Sequence, residues 1–364
     1  MSTSAFIQTS SKLLGAWAVV LGMVAVLASA SRATAGPLPE HWVADGCDWV
    51  VHVDAERLRE AEALQPIFDA LVSSAWGATL SDMGIDARMD LTDITMFGTI
   101  TRGPDAKGQT TTMLQGGSAL RDAIQQHVAD HDGFPLLLRP ARKTDGRGIS
   151  AWTIESLSVH VALVPVGSTG SGELVAVLSD HSDRLQACID LVIRGSREEP
   201  PSPEKADEVA SAGDESPPGC VIVVRANDLD CAHPPLSSAL LASASAIHGY
   251  LGYRQEADRT VVFARLRVDG GEQADGDRMV VSLNNMVEFW THGARRMAAE
   301  APALQAMVDL VGSGTVSRDG RTVELAMQNA IAATSAPPEP EEDDGDERLA
   351  GVSDEPEGSM PNDR

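Results

Sequence analysis

The chain has 364 residues and a formal charge of −25, from 28 Lys and Arg against 53 Asp and Glu. A surface that acidic repels DNA, RNA and anionic membrane, which excludes nucleic acid as a partner class. The 24 Arg against 4 Lys fit a GC-rich genome or a salty habitat equally well.

Residues 1–35 have the layout of a secretory signal peptide. Lys12 sits in a polar start, an uncharged apolar run follows from Leu13 to Ala30, and two small-residue cleavage options close it, Ala28 to Ala30 and Ala33 to Ala35. The alternative is an N-terminal membrane anchor, since about 18 apolar residues is the lower edge of a spanning helix. With the leader cleaved, no membrane span remains. Export puts Cys47, Cys188, Cys220 and Cys231 where disulfides form, but four cysteines allow three pairings and their spacing fits no zinc motif.

A first α+β block spans residues 37–195. It opens with the strand-like "WVVHVD" and passes into a helix in which Leu58, Ala61, Leu64, Phe68 and Leu71 share one face, interrupted at Pro66. "DITMFGTITR" and "TTTMLQGG" read as a hairpin, and Leu120, Ile124 and Val128 mark a second helix. Another hairpin turns at Asp145-Gly146, because an Asp-Gly turn supplies the positive φ required there. "LSVHVALVPV", "ELVAVLSD" and the helix "SDRLQACIDLVIR" extend this block.

Residues 196–219 hold seven acids, two bases and five prolines, with little to bury, and read as a solvated linker. The second block, 220–333, repeats the order of the first. "VVHVDAERL" matches "VIVVRANDL" at a separation of 171, "MFGTIT" matches "VFARLR", "TML" matches "RMV", and "TDGRGISAWT" matches "RDGRTVELAM". The expected second copy thus has a helix over "PPLSSALLASASAIHGYL", a hairpin from "RTVVFARLRV" to "RMVVSLNN" around the loop "DGGEQADGD", a helix marked by Met286, Trp290 and Ala294, and a hairpin at Asp319-Gly320. The fold class is therefore α+β, two copies of a ferredoxin-like β-α-β-β-α-β-β unit with antiparallel sheets, the first copy extended by extra strands and a helix. Residues 334–364 form an acidic tail without aromatics, expected to be disordered. With its opening "WVVHVDAERL", the chain resembles a family of uncharacterised exported bacterial proteins. That resemblance implies neither an activity nor catalytic residues.

Four groups of residues invite a chemical reading. His52 and Asp54 fall on one side of a strand, where a base beside a carboxylate can activate a nucleophile. The second copy holds Val223 and Arg225 instead, which favours a half-exposed strand end with Asp54 as a helix N-cap. His127 and His131 stand four apart on a helix, the spacing for two imidazoles on one metal, but the Glu of an H-E-x-x-H frame is missing; the alternative is a solvated helix end. The glycine-rich run from Gly167 to Glu173 lacks the Lys of a phosphate loop and leads into a strand. Arg139, Arg142, Lys143 and Arg147 form a basic patch that suits an acidic protein or envelope partner, or simply faces water.

No cofactor is implied. The reading that these residues support is a non-catalytic exported binding or scaffold protein. The alternative is a metal-assisted or His/Asp-dependent hydrolase using the first unit only, through His52, His127 and His131. N-terminal sequencing of the exported protein is expected to start after Ala30 or Ala35; recovery of intact Met1 in the membrane fraction would establish the anchor instead.

Overall fold

A computed structural model describes residues 43, 46–99, 108–136, 148–166, 172–195, 219–227, 229, 244–256, 259–271, 275–300 and 305–332. The expected leader, the acidic tail, Cys231, Asp145-Gly146 and the four basic-patch residues lie outside these, as does the linker apart from Gly219.

The described residues form a mixed α+β structure with one antiparallel sheet and seven α-helices. In chain order the first block gives β1 (Trp49–Asp54), α1 (Ala55–Glu60), α2 (Gln65–Val72), α3 (Ala75–Asp82), β2 (Leu91–Gly98), β3 (Thr110–Gly116), α4 (Ser118–Asp130), β4 (Phe134–Pro135), β5 (Ser150–Ile154), β6 (Val159–Pro165), β7 (Leu174–Ser179) and α5 (Ser182–Gly195). The second gives β8 (Cys220–Ala226), β9 (Ala244–Glu256), β10 (Arg259–Gly270), α6 (Gly276–Glu300), α7 (Gln305–Gly312), β11 (Thr315–Asp319) and β12 (Thr322–Ala332). The strand order is β11-β12-β10-β9-β8-β1-β2-β3-β7-β6-β5-β4. Both blocks thus feed a single sheet, joined where β1 pairs with β8, in place of the separate sheets expected of two units.

The sheet has two unlike faces. Val51, Val53, Ile94, Met96, Leu114 and Ala176 point to the side covered by α2, α3 and α4, whose Leu71, Trp76, Leu120, Ile124 and Val128 complete that core. The same core continues under α6 and α7, where Leu266, Val323, Leu325 and Met327 meet Met279, Leu283, Met307 and Leu310. On the opposite face α5 covers the first block, packing Leu185, Cys188, Ile189 and Val192 on Val50, Phe97, Met113, Ala162 and Val177. Among the described residues no helix covers that face over β9, β10 and β12. There the burial along Thr322 to Met327 alternates between half-exposed and buried, the period-2 pattern of a strand with one wet face.

Several local expectations need correction. Ala244 to Leu251, expected as part of a helix, is strand β9. Its Ala and Leu content reads as helical, but Gly249 and Gly252 disfavour a helix, and His248 to Gly252 are buried without alternation. The stretch "RMVVSLNN", expected as a strand and matched with β3, opens helix α6. Its Met279, Val281 and Leu283 alternate locally, but the governing spacing is that of Met279, Leu283, Met286, Val287 and Trp290, which meet the core at helical intervals. The carboxylate of Asp275 accepts from the backbone N–H of Asp277 at 3.0 Å and of Arg278 at 3.3 Å, capping that helix. Asp269 to Asp277 therefore connects a strand to a helix and is not a hairpin loop. The first long helix is divided into α1, a 3-10 turn and α2, with Pro66 in the first turn of α2 where its missing N–H costs nothing. Asp319-Gly320 does turn the β11–β12 hairpin, with Gly320 at φ +57°.

Gly98, at the end of β2, faces Trp49 across the strand pair. A methyl group there would meet the Trp49 ring at 2.7 Å as well as the Gln109 carbonyl oxygen. We expect Gly98→Ala to cost about 1–3 kcal/mol in urea denaturation, and Gly148→Ala, which meets nothing within 4 Å, to stay within about 0.5 kcal/mol.

Candidate functional site

His52 sits at the middle of β1, opposite Thr95 of β2 on one side and Val223 of β8 on the other. It is 4% exposed, so it is not the half-exposed strand end expected. Its Nδ1 lies 2.9 Å from Thr95 Oγ1, itself 1% exposed, and its Nε2 lies 3.7 Å from Asp93 Oδ1. Asp54 is committed elsewhere. Its carboxylate accepts from the Arg57 backbone N–H at 2.8 Å as the N-cap of α1 and lies 3.4 Å from Arg57 Nε. The carboxylate beside His52 is thus Asp93, which sequence reasoning missed. Only the register of β1 against β2 brings it there.

Burial governs the charges at this place. It pushes the His52 imidazole down to about 4, so the ring is neutral at pH 7. It pushes the Asp93 carboxyl up to about 6, reinforced by the charge of Asp54 directly opposite. Hydroxyl, imidazole and carboxylate are the group types of a hydrolytic triad, but the ring is reversed, with Nδ1 toward the hydroxyl and Nε2 toward the carboxylate. The hydroxyl is enclosed, and 3.7 Å is too long for a hydrogen bond from imidazole to carboxylate. The arrangement satisfies buried polar groups; it does not present a nucleophile.

His127 and His131 lie at the end of α4, their ring centroids 4.3 Å apart. His131 Nδ1 is 3.0 Å from the His127 carbonyl oxygen, and burial and then His131 lower the basicity of His127. Helix α4 packs on the face of Val161 and Ala176, whereas His52 shares the face of Val50. The sheet therefore stands between His52 and this pair. Among the described residues no three His, Cys, Asp or Glu side chains gather as a metal site requires.

The second block holds a comparable pair that the sequence did not reveal. His248 of β9, also buried, places Nε2 3.9 Å from Asp269 Oδ2 on β10. Thr322 Oγ1 donates to Asp269 at 2.7 Å and Arg267 Nε at 3.1 Å. This pair opens onto the face without a described helix, where Arg265 meets Glu324 at 3.0 Å. Arg267, Ser317, Arg318, Asp319, Thr322 and Glu324 line a depression of about 290 Å³. They come from three neighbouring strands, β10, β11 and β12, and give a surface of guanidinium and carboxylate groups suited to polar contact.

No family model and no curated protein matches the chain. Two solved structures of TP0453, a Treponema protein, are similar in outline. Crystal form I has 13% identity and a TM-score of 0.36, covering 82% of this chain and 94% of that one; form III has 9% identity and a TM-score of 0.37, covering 82% and 96%. Such a likeness assigns neither family nor function. Among the described residues no helix is long and apolar enough to cross a membrane.

His52 and Asp93 respond to acid in opposite directions. His52 takes up a proton near 6.5 when unfolded and near 4 when folded, so acidification across that window favours the unfolded chain. Asp93 takes one up near 3.8 unfolded and near 6 folded, so acidification favours the fold. Their effects offset each other where the windows overlap. Asp93→Asn is expected to lose about 2 kcal/mol more stability than the wild type between about pH 7 and 4.5, measured by urea titration at both values. An equal loss would show that Asp93 does not titrate there.

Proposed function

We propose that the protein is a non-catalytic exported binding or scaffold module, built from two related α+β units that share one sheet. The observation that carries the binding reading is the half-exposed, mixed-charge patch of β10 and β12, with Arg265, Arg267, Asp269, Thr322 and Glu324 on one side and packed helices on the other. A rigid sheet that holds its charged groups by neighbouring ion pairs presents them with little ordering left to lose on binding. The leader supports export.

The relatedness of the units is supported by symmetry about β1 and β8. His52 lies opposite Val223, the two positions that the 171-residue separation makes equivalent. Outward from that centre the sheet runs β1-β2-β3-β7-β6 on one side and β8-β9-β10-β12-β11 on the other. A helix follows the third strand in each, α4 after β3 and α6 after β10. In this correspondence β2 matches β9 and β3 matches β10, which replaces the pairing of "MFGTIT" with "VFARLR".

The test compares wild type with Arg265→Glu/Arg267→Glu, each immobilised and exposed to crosslinked envelope proteins, with quantitative mass spectrometry. The expected result is a small set of proteins retained by the wild type and reduced at least about tenfold by the variant, since reversed charges oppose a complementary partner. Equal retention would exclude this face. Stoichiometric metal in the purified protein, lost in His127→Ala/His131→Ala, would instead support the metal-assisted hydrolase.

A further inference from the structure

Two of the cysteines converge beneath α5. Cys188 lies on the inner side of that helix, fully buried among Leu185, Ile189 and Val192, and half-buried Cys47, just ahead of β1, packs against the same cluster. Arg184 stands one helical turn before Cys188. Its Nη2 donates to Cys47 Sγ at 3.1 Å, its Nη1 donates to Gln109 Oε1 at 3.0 Å, and its guanidinium lies over the Phe97 ring, 5.6 Å from the centroid. These contacts hold a cation against one sulfur.

The two thiols are unequal. Burial pushes Cys188 up to about 12, while Arg184 pulls it down and the charge of Cys47 pushes it up, so each sulfur lies within the other's field. A partly exposed thiol against a fixed guanidinium is the reactive kind; an enclosed one stays protonated until an electrophilic sulfur reaches it.

We propose that Cys47 and Cys188 are a redox pair in which Cys47, activated by Arg184, attacks an external low-molecular-weight disulfide and Cys188 resolves the adduct. In the first step the Cys47 thiolate displaces one thiolate of the oxidant and forms a mixed disulfide. In the second, Cys188 gives up its proton and its sulfur attacks Cys47, releasing the second small thiol. Two protein thiols are oxidised to one disulfide, one small disulfide is reduced to two thiols, and the two protein protons pass to the released thiolates. The bond would clamp the segment ahead of β1 onto α5. Cys220, buried in β8 with its thiol also near 12, takes no part.

The test treats the full-length reduced protein with glutathione disulfide and maps its peptides without reduction. A Cys47–Cys188 peptide as the main product is expected, together with a higher denaturation midpoint for the oxidised protein. Cys188→Ser should stop at a Cys47–glutathione adduct. Cys47 joined chiefly to Cys231, or left as the glutathione adduct in wild type, would overturn the pairing. Arg184→Gln should slow alkylation of Cys47 by about tenfold at pH 7, and Arg184→Lys should restore it. Since Arg184→Gln also loosens α5, the pH–rate profile of the wild type provides the second measurement. A midpoint below about 8.5, the ordinary thiol value, supports activation, and one at or above it removes that role from Arg184.

Discussion

The antiparallel pairing of β1 with β8 is the contact on which the rest of the fold depends. Without it each block would end in a strand with a row of unpaired backbone groups, open to other chains. With it, Val51 faces Val224 and Val53 faces Ile222 in the middle of a 12-stranded sheet. Both strands are then enclosed, which is why their sequences are nearly continuous apolar runs and not alternating ones. The strands left at the ends are the two-residue β4 and the charged β11, with Arg318 and Asp319, both poor templates for further pairing.

Enclosure at that centre sets the chemistry of His52. A polar side chain placed there requires a partner, and Thr95 supplies it through the neighbouring strand. The same burial that makes the imidazole neutral removes it from solvent, so the residue type most suggestive of catalysis is spent on satisfying the core. Asp54, two residues on, has reached the strand end and turns to capping α1. Toward the far half of the sheet the balance changes. With α6 and α7 both on one side, Arg265, Arg267 and Glu324 stand half-exposed on the other, in paired form.

The legibility of the site follows from how local each signal is. Asp54 as an N-cap was readable because its partner, the Arg57 backbone N–H, is three residues away. Asp93 beside His52, Asp269 beside His248 and Arg184 beside Cys47 were not, because 41, 21 and 137 positions separate them and only strand register or helix docking brings them together. The spacing of His127 and His131 was read correctly as one helix end; the face of the sheet on which that helix lies was decided by Leu120, Ile124 and Val128 packing on the sheet.

By itself the sequence determined the α+β class, the apolar faces of α2 and α4, a break in the first long helix, which falls at Ala61 to Leu64 just ahead of Pro66, the Asp319-Gly320 turn and the strands β1, β2, β3, β6, β7 and β8, since each rests on periodicity or backbone preference within a few residues. Tertiary structure decided three things. It made β9 a strand despite its helical composition, because a central strand buried on both sides need not alternate. It made the start of α6 helical, because the core accepts Met279 and Leu283 one turn apart. And it joined both blocks into one sheet, because hydrogen bonds between β1 and β8 satisfy backbone groups that no local sequence preference can pair.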